Sequence, residues 1–535
     1  MGKVKLLDCT LRDGGYINDW KFENCNIVSI FKRLVNANID IIEIGFIDDR
    51  RPFDNDRSIM PNTDCISEIY GKLDKKNSEI VGMIDYGTCD IKNIKPCSES
   101  YIDGIRVIFK KHLMHEAMEY CRKLKELGYK VYSQLVSITS YNDNELLELV
   151  DLANDVKPYA VSMVDTYGLL QQEELLHYYK ILDNKLNTDI NIGFHAHNNL
   201  QLAYANVLAF LNYKGNHNII VDGTLYGMGK SAGNAPLELI AMTLKEKYNK
   251  KYNINSLLES IAESIIDFYS NAPWGYNIFF YLSSLNKCHP NYVNYFRDKD
   301  NLSISKINNL LAMIEPDDKK LLYDKEVAEQ IYSTYIKTNG SDENSKRNLK
   351  IELQDKRILV IGPGKNTFLQ RKVINEFIQR EKPYVISINC IPDNIKIDSV
   401  FITNSIRYKQ MTTKKEKTIA TSNVECKNGK FDYVVNRSSL IEEKEKIKDN
   451  SYLMFIKLIS SLGIKQIICA GFDGYSDKDD NYYNPSMEYS FVKKEAENLN
   501  RHVRKALLEY KKNINIEFLT YSKYDEQNDD LDSYF

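Results

Sequence analysis

The chain has 535 residues, material for roughly two to four domains, and its 43% hydrophobic and 27% charged residues are the balance of a globular protein with a sizeable core. Lys and Arg number 71 against 74 Asp and Glu, a formal net charge of -3, which gives no electrostatic case for nucleic acid or a membrane surface as partner. No run approaches ~20 apolar residues, no charged-then-apolar leader precedes the first apolar run, and the ten cysteines form no CxxC pair. The expectation is a cytoplasmic chain with reduced thiols and no transmembrane helix.

In chain order, apolar β-type runs alternate with helix-like stretches. The predicted strands are 4–7, 41–46, 80–84, 104–108, 131–138, 159–164, 190–194 and 219–221, and the predicted helices between them include 24–37, 113–127, 144–154, 171–186 and 200–211. Eight strands, each followed by a mostly helical stretch, predict an α/β fold, a TIM (β/α)8 barrel over residues 1–250. An open doubly wound sheet is the competitor. The strand count and the polar residues at strand ends (Arg12-Asp13, Glu43, Asp85, Asp165-Thr166, His195, His197, Asp222) favour the barrel. Residues 251–336 read as a helical extension and the charge-rich 337–356 as a linker. At 357–525 a second strand–glycine–helix pattern predicts a Rossmann-like α/β domain, followed by an acidic tail at 526–535.

The first predicted strand runs into Asp8-Cys9-Thr10-Leu11-Arg12-Asp13-Gly14-Gly15. Arg12 and Asp13 are costly to bury unless they are paired or bind something. The glycines allow a sharp turn or a close approach to the backbone. His195 and His197 are two apart at a strand end, so both imidazoles face one side. Asp13 at the end of the first strand is a barrel neighbour of that region. Two imidazoles and one carboxylate, with positions left for water and substrate, suit a divalent cation such as Mn²⁺, Mg²⁺, Fe²⁺ or Zn²⁺. Without a metal, Arg12 reads as an ion-pair partner of Glu43 or Asp13. Cys9 reads as packing.

Three motifs in order carry a resemblance. Asp8 to Gly14 is similar to the DxTLRDG signature of the DRE-TIM metallolyases, Phe194 to Asn199 to their HxH strand, and Gly227 to Glu238 to their GNxxxE loop. That superfamily holds hydroxymethylglutaryl-CoA lyase, isopropylmalate and homocitrate synthases, and 4-hydroxy-2-oxovalerate aldolase. The resemblance implies Asp13, His195 and His197 as metal ligands with Asn234 as a fourth, Mn²⁺ or Mg²⁺ as the ion, Arg12 on an enolate oxygen and Glu43 as an acidic catalytic residue. The aldolase-type relatives, to which this chain is most similar, carry a histidine shortly after the RDG. Here the place holds Gly15-Tyr16-Ile17: Tyr16 reads as a proton relay or as a residue that only lines the pocket, and a metal-bound water is the other candidate base. Thr166 resembles the family's donor to the substrate carboxylate, with a plain Asx-type turn at Asp165 as the alternative. Lys230 reads either as a contact for an anionic substrate end or as a solvated loop lysine.

The implied function is a carbon–carbon lyase: an aldolase joining or splitting a pyruvate enolate and an aldehyde, a small-molecule 2-oxo acid chemistry. An acyl-CoA-dependent Claisen synthase on the same barrel is the first alternative. In the C-terminal part, Gly362-Pro363-Gly364-Lys365 gives only GxG, and the region loosely resembles domains of surface-glycan proteins. That resemblance suggests a sugar-derived aldehyde and surface polysaccharide biosynthesis. It also makes a nucleotide or nucleotide sugar, bound or transferred by the C-terminal domain, the second alternative. His502 reads as a helix-surface residue. A homo-oligomer is expected.

Overall fold

The computed structural model describes residues 3–299, 302–335, 342–411, 416–426, 429–442, 444–478, 481–488 and 490–525. The first strands in chain order are β1 (Val4–Asp8), β2 (Ile41–Ile47), β3 (Ile59–Met60), β4 (Glu79–Asp85), β5 (Gly104–Phe109), β6 (Lys130–Leu135), β7 (Ala160–Asp165), β8 (Asn191–Ala196) and β9 (Ile219–Gly223). They pair in the order β1-β9-β8-β7-β6-β5-β4-β2-β3, and β1 also pairs with β2. That last pairing closes eight parallel strands into a TIM barrel, leaving the two-residue β3 attached to β2 alone. The helices Asn24–Asn36, Met114–Glu126, Asp143–Val156, Gln172–Lys185 and Ala203–Asn212 lie where the sequence predicts them. Thr63–Tyr70 and Leu237–Tyr248 are further helices.

Strand alternation sorts the side chains. On β2, Ile42 and Ile44 join the layer between strands and helices, while Ile41 joins an inner cluster with Leu7, Val81, Tyr132, Ala160 and Ile220. Two residues further along the same strands the inward positions change character. They become Glu43 on β2, Gln134 on β6, Ser162 on β7 and Asp222 on β9, all buried. The barrel interior is therefore an apolar plug at its N-terminal end and a polar layer at its C-terminal end, where barrel chemistry gathers.

Thr10–Asp13 forms one helical turn and Gly14–Tyr16 a 3-10 turn. Gly14 has ordinary right-handed dihedrals (φ -57°), so turning is not what requires it. Packing is the reason at its neighbour: a Cβ on Gly15 would stand 2.0 Å from the Trp20 ring. Gly45 on β2 is a different case. Its φ of +134° and a Cβ that would meet Ser58 O at 2.0 Å demand glycine, and the β2–β4 register shifts between Glu43 and Phe46.

The chain divides into two compact units. One carries the barrel and the residues up to Asn294, with Ile314–Asp324; the other carries Tyr295–Met313 and the chain from Lys325 on. The stretch 251–336 is mainly helical, but it divides between the units rather than forming one extension. The predicted linker is corrected as well. Glu343–Leu353 is a helix whose Leu349 and Leu353, one turn apart, are fully buried in the second unit's core. Two leucines at i and i+4 anchor a helix that its charged neighbours disguise. Residues 337–341 of that stretch and the predicted tail 526–535 lie outside the described residues.

The second unit holds β10 (Ile358–Ile361), β11 (Tyr384–Ile388), β12 (Ser399–Ile402), β13 (Lys417–Thr421), β14 (Tyr433–Val435), β15 (Gln466–Ala470) and β16 (Asn515–Phe518). All are parallel, in the order β14-β13-β12-β11-β10-β15-β16. Strand β13 goes beyond the predicted elements, because Lys417-Thr418-Ile419-Ala420-Thr421 has too few apolar residues to stand out. Among the described residues, no helix is long and apolar enough to cross a membrane.

Candidate metal centre

Asp13, His195 and His197 converge at the C-terminal end of the barrel, their ligand atoms within 4.8 Å of one another. The two imidazole centroids are 5.0 Å apart. His195 Nε2 stands 3.5 Å and His197 Nε2 3.9 Å from Asp13 Oδ2. Each imidazole is oriented through its other nitrogen: His195 Nδ1 donates to Asp222 Oδ2 (3.1 Å) and His197 Nδ1 to Gly233 O (3.2 Å). That pairing turns both Nε2 lone pairs toward Asp13, the orientation a metal-binding histidine needs.

Asn234 completes the group. Its Nδ2 donates to Asp13 Oδ1 (2.9 Å) and Met228 O (3.1 Å), while its buried Oδ1 has no hydrogen-bond partner. His195 Nε2 is likewise buried without a partner. A buried polar atom left unsatisfied is expensive, and here two of them belong to the set predicted as ligands. The loop Gly227 to Glu238 makes room for this. A Cβ on Gly229 would lie 2.0 Å from Asn234 Nδ2 and 2.5 Å from Asp13 Oδ1. Alanine at 229 is therefore expected to push Asn234 and Asp13 apart and to weaken Mn²⁺ binding by about tenfold or more with the melting profile retained, as calorimetric titration would show.

The charges around the group form one connected chain. Arg12 Nε donates to Glu43 Oε2 (2.8 Å), and Arg12 Nη1 to Asp13. Glu43 Oε2 also accepts from Arg106 Nη1 (3.0 Å), and Arg106 Nη2 reaches Gln134 Oε1 (2.9 Å) and Asp222. Asp222 in turn holds His195. Three buried carboxylates (Asp13, Glu43, Asp222) face two buried guanidinium groups (Arg12, Arg106). The surplus negative charge, the free Nε2 and Oδ1 atoms and the all-oxygen-and-nitrogen donor set fit a hard or borderline divalent cation.

Burial alone would raise the pKa of Asp13, but Arg12, His197 and His195 outweigh it and hold the carboxylate well below its usual range. Burial lowers His197 to about 3, so this imidazole is neutral at any working pH. Burial also acts to lower His195, yet the neighbouring Asp13 and Asp222 carboxylates leave it above the ordinary value. A proton on His195 therefore competes with a cation. Mn²⁺ affinity is expected to fall as pH is lowered, with proton release on binding, measurable by titration in buffers of different ionisation enthalpy.

The other expected residues line the same mouth or sit behind it. Tyr16 is 42% exposed, yet burial of its hydroxyl and then the Asp13 charge push the phenol up to about 12. Lys230 Nζ lies 5.4 Å from the Tyr16 ring centroid and 5.6 Å from that of Tyr167, and burial lowers its pKa. Thr166 Oγ1 accepts from the Ser137 N–H (2.7 Å) and keeps its own proton to donate. Asp165 accepts from the N–H groups of Leu169 (2.8 Å) and Leu170 (3.2 Å), four and five residues on, rather than from the residue two on as an Asx-type turn would. Glu43 is completely buried behind Arg12. Cys9 Sγ is 3.9 Å from His195 Nδ1, but burial raises its pKa well above the ordinary thiol, so it packs as a neutral group. His502 lies on the helix Ser490–Lys511 with Nδ1 2.7 Å from Asn498 O, one turn back.

Two residues of the network escape sequence reasoning. Arg106 sits inside Gly104-Ile105-Arg106-Val107-Ile108-Phe109, and a lone arginine on an apolar strand is the available signal. Gln134 has no such signal.

Residues 3–264 match the HMGL-like family model. The chain is 27% identical over 243 residues to a 4-hydroxy-2-oxovalerate aldolase 2 of Salinispora arenicola, covering 45% of this chain and 68% of the relative. It is 26% identical over 247 residues to a 2-isopropylmalate synthase of Sulfolobus acidocaldarius, covering 46% of this chain and 62% of the relative. Among solved structures, the hydroxymethylglutaryl-CoA lyase of Pseudomonas aeruginosa aligns with a TM-score of 0.41 and 14% identity, over 50% of this chain and 98% of the lyase. The HMGL-like match takes in the three motifs and the whole barrel. The second unit's parallel sheet lies outside it.

Proposed function

We propose that the barrel is a divalent-metal-dependent aldolase or lyase. It makes or breaks a carbon–carbon bond beside the carbonyl of a 2-oxo acid, with pyruvate as the enolate partner and a sugar-derived aldehyde as the other. The observation that carries this reading is the pair of buried, unpartnered atoms, His195 Nε2 and Asn234 Oδ1, beside Asp13. Matches to aldolases and to a carboxylic-acid synthase support it. Asp13, His195, His197 and Asn234 would hold Mn²⁺ or Mg²⁺, which when bound supplies Lewis-acid polarisation of the 2-oxo carbonyl.

The remaining work falls to side chains. Arg12 is fixed by two carboxylates, and its Nη2 makes no hydrogen bond among the described residues. It is assigned to the oxygen that gains charge as the enolate forms, a preorganised donor in a site shielded from water. Glu43 is a positioning residue: it aims Arg12 and takes no proton from substrate. Lys230, held between two tyrosine rings, and the Thr166 hydroxyl are assigned to the substrate carboxylate. Tyr16, with a phenol at about 12, keeps its proton at neutral pH and is assigned as donor to the aldehyde oxygen rather than as base.

Exchange of pyruvate methyl protons in D₂O, followed by mass spectrometry, tests this. Exchange that needs Mn²⁺ or Mg²⁺ and disappears in His195→Ala is expected. No exchange with either ion, or exchange indifferent to His195, overturns the reading. The similarity to a 2-isopropylmalate synthase keeps a Claisen reading in view. Thiol release from acetyl-CoA in the presence of 2-oxo acids would favour it.

A further inference from the structure

In the second unit, the strand order reverses between β10 and β15, whose onward connections leave to opposite sides. Open parallel sheets bind ligands in the crevice that such a reversal opens at the carboxyl edge. A cavity of about 590 Å³ lies there, the size of a small-molecule site. Its wall includes Asn389 after β11, Asn404 and Arg407 after β12, Asp473 and Tyr475 after β15, and Ser451 at the start of the helix Ser451–Ser461.

The glycine turn after β10 is already occupied by the protein's own groups. Gly364 N–H donates to Gly471 O (2.9 Å), Asn366 N–H to Asp473 Oδ2 (2.8 Å) and Thr367 N–H to Gly364 O (3.1 Å). A Cβ on Gly364 would stand 2.6 Å from Gly471 O and 2.8 Å from Asp473 Cγ, so the two loops are in close contact. The Asp473 carboxylate thus stands where a dinucleotide-type turn receives its pyrophosphate. This geometry disfavours a ligand anchored by a pyrophosphate.

The rest of the wall is rich in donors. Asn389 Nδ2 donates to Thr403 Oγ1 (2.9 Å) and Ser451 Oγ (2.8 Å), and these two hydroxyl oxygens are 2.8 Å apart. One hydroxyl donates to the other, which leaves the second proton without an acceptor inside the triad. The Tyr475 hydroxyl accepts from Asn450 Nδ2 (3.2 Å) and has its own proton to give. Asn404 Oδ1 takes the N–H groups of Ile406 (2.9 Å) and Arg407 (3.1 Å), which leaves its NH₂ to donate. Arg407, 7% exposed, brings a buried positive charge to the same wall, where its Nη2 also donates to Met487 O and its guanidinium lies over the Tyr482 ring.

We propose that this cavity binds a small polyhydroxylated anion, a sugar-sized polyol with one acidic group. Arg407 takes the acidic group. Ser451, Tyr475 and Asn404 donate to hydroxyl oxygens, and the Asp473 carboxylate accepts from a ligand hydroxyl. The acid is a carboxylate or a phosphate, and the two are separable by experiment.

Calorimetric titration of the full-length chain with gluconate, glucose 6-phosphate, glucose and UDP is the test. At least one anion is expected to bind saturably, with glucose about tenfold weaker or more. Gluconate as the tighter ligand assigns a carboxylate, and glucose 6-phosphate a phosphate. Arg407→Lys is expected to weaken binding about tenfold or more, and Ser451→Ala severalfold, while His195→Ala in the barrel leaves it unchanged. Ser451→Ala stands in if Arg407→Lys lowers the melting temperature. The proposal is overturned if neither anion binds, if UDP binds more tightly than both, or if binding depends on His195 and not on Arg407 or Ser451.

Discussion

Lysine in place of Arg12 is expected to slow metal-dependent exchange of pyruvate methyl protons by about 10²–10³-fold, the usual cost of removing one preorganised oxyanion donor. Arg12 spends Nε on Glu43 and Nη1 on Asp13, both buried carboxylates, and still has Nη2 to aim into the mouth. A lysine retains the charge but cannot hold two carboxylates in a plane while directing a third donor. Mn²⁺ titration run in parallel should show the ion still bound, because the four residues proposed as ligands are untouched. Exchange by the Arg12→Lys variant within about threefold of the parent rate would mean that Arg12 only neutralises Asp13 and Glu43.

Methionine in place of Arg106 is expected to destabilise the barrel unit by about 3–5 kcal/mol, the range for breaking a buried ion pair by removing one partner. Arg106 is 1% exposed and bridges Glu43 and Asp222, fully buried or nearly so. Without it, two carboxylates face each other in a medium of low dielectric constant with Arg12 as their one remaining guanidinium neighbour among the described residues. Adding Glu43→Gln and Asp222→Asn to Arg106→Met should recover part of the loss, since the orphaned charges go with it. Urea unfolding followed on the barrel transition measures both, the two units being treated as separate transitions. A loss under about 1 kcal/mol for the single variant would show that water or a rearranged side chain reaches the pair.

Much of the barrel is readable from the alternation of apolar runs and helical stretches. Strands buried on both faces are short continuous apolar runs, and all eight predicted strands lie within a few residues of their observed ends. Residues 136–138 are the largest overrun: β6 ends at Leu135, and Ile138 belongs to a 3-10 turn. An apolar residue in a buried turn looks like a strand residue in one dimension. The helix Glu343–Leu353 escapes for the opposite reason, since only Leu349 and Leu353 mark its buried face among charged neighbours.

For the site, Asp13, His195, His197 and Asn234 are legible because each is a metal-ligand type in a recognisable motif, at fixed spacing along the chain. Residue types and spacing made Asp13, His195 and His197 candidates for one ion, and the family resemblance added Asn234. Tertiary structure decided which nitrogen of each histidine faces Asp13, that Gly229 must lack a side chain, and that Arg12 connects through Glu43, Arg106 and Asp222 back to His195. Those relations depend on the register in which eight strands close, with Asp8 beside Gly223 and Ile42. Register is a property of the closed sheet, set by pairings between segments far apart in the chain, and no local stretch of sequence carries it.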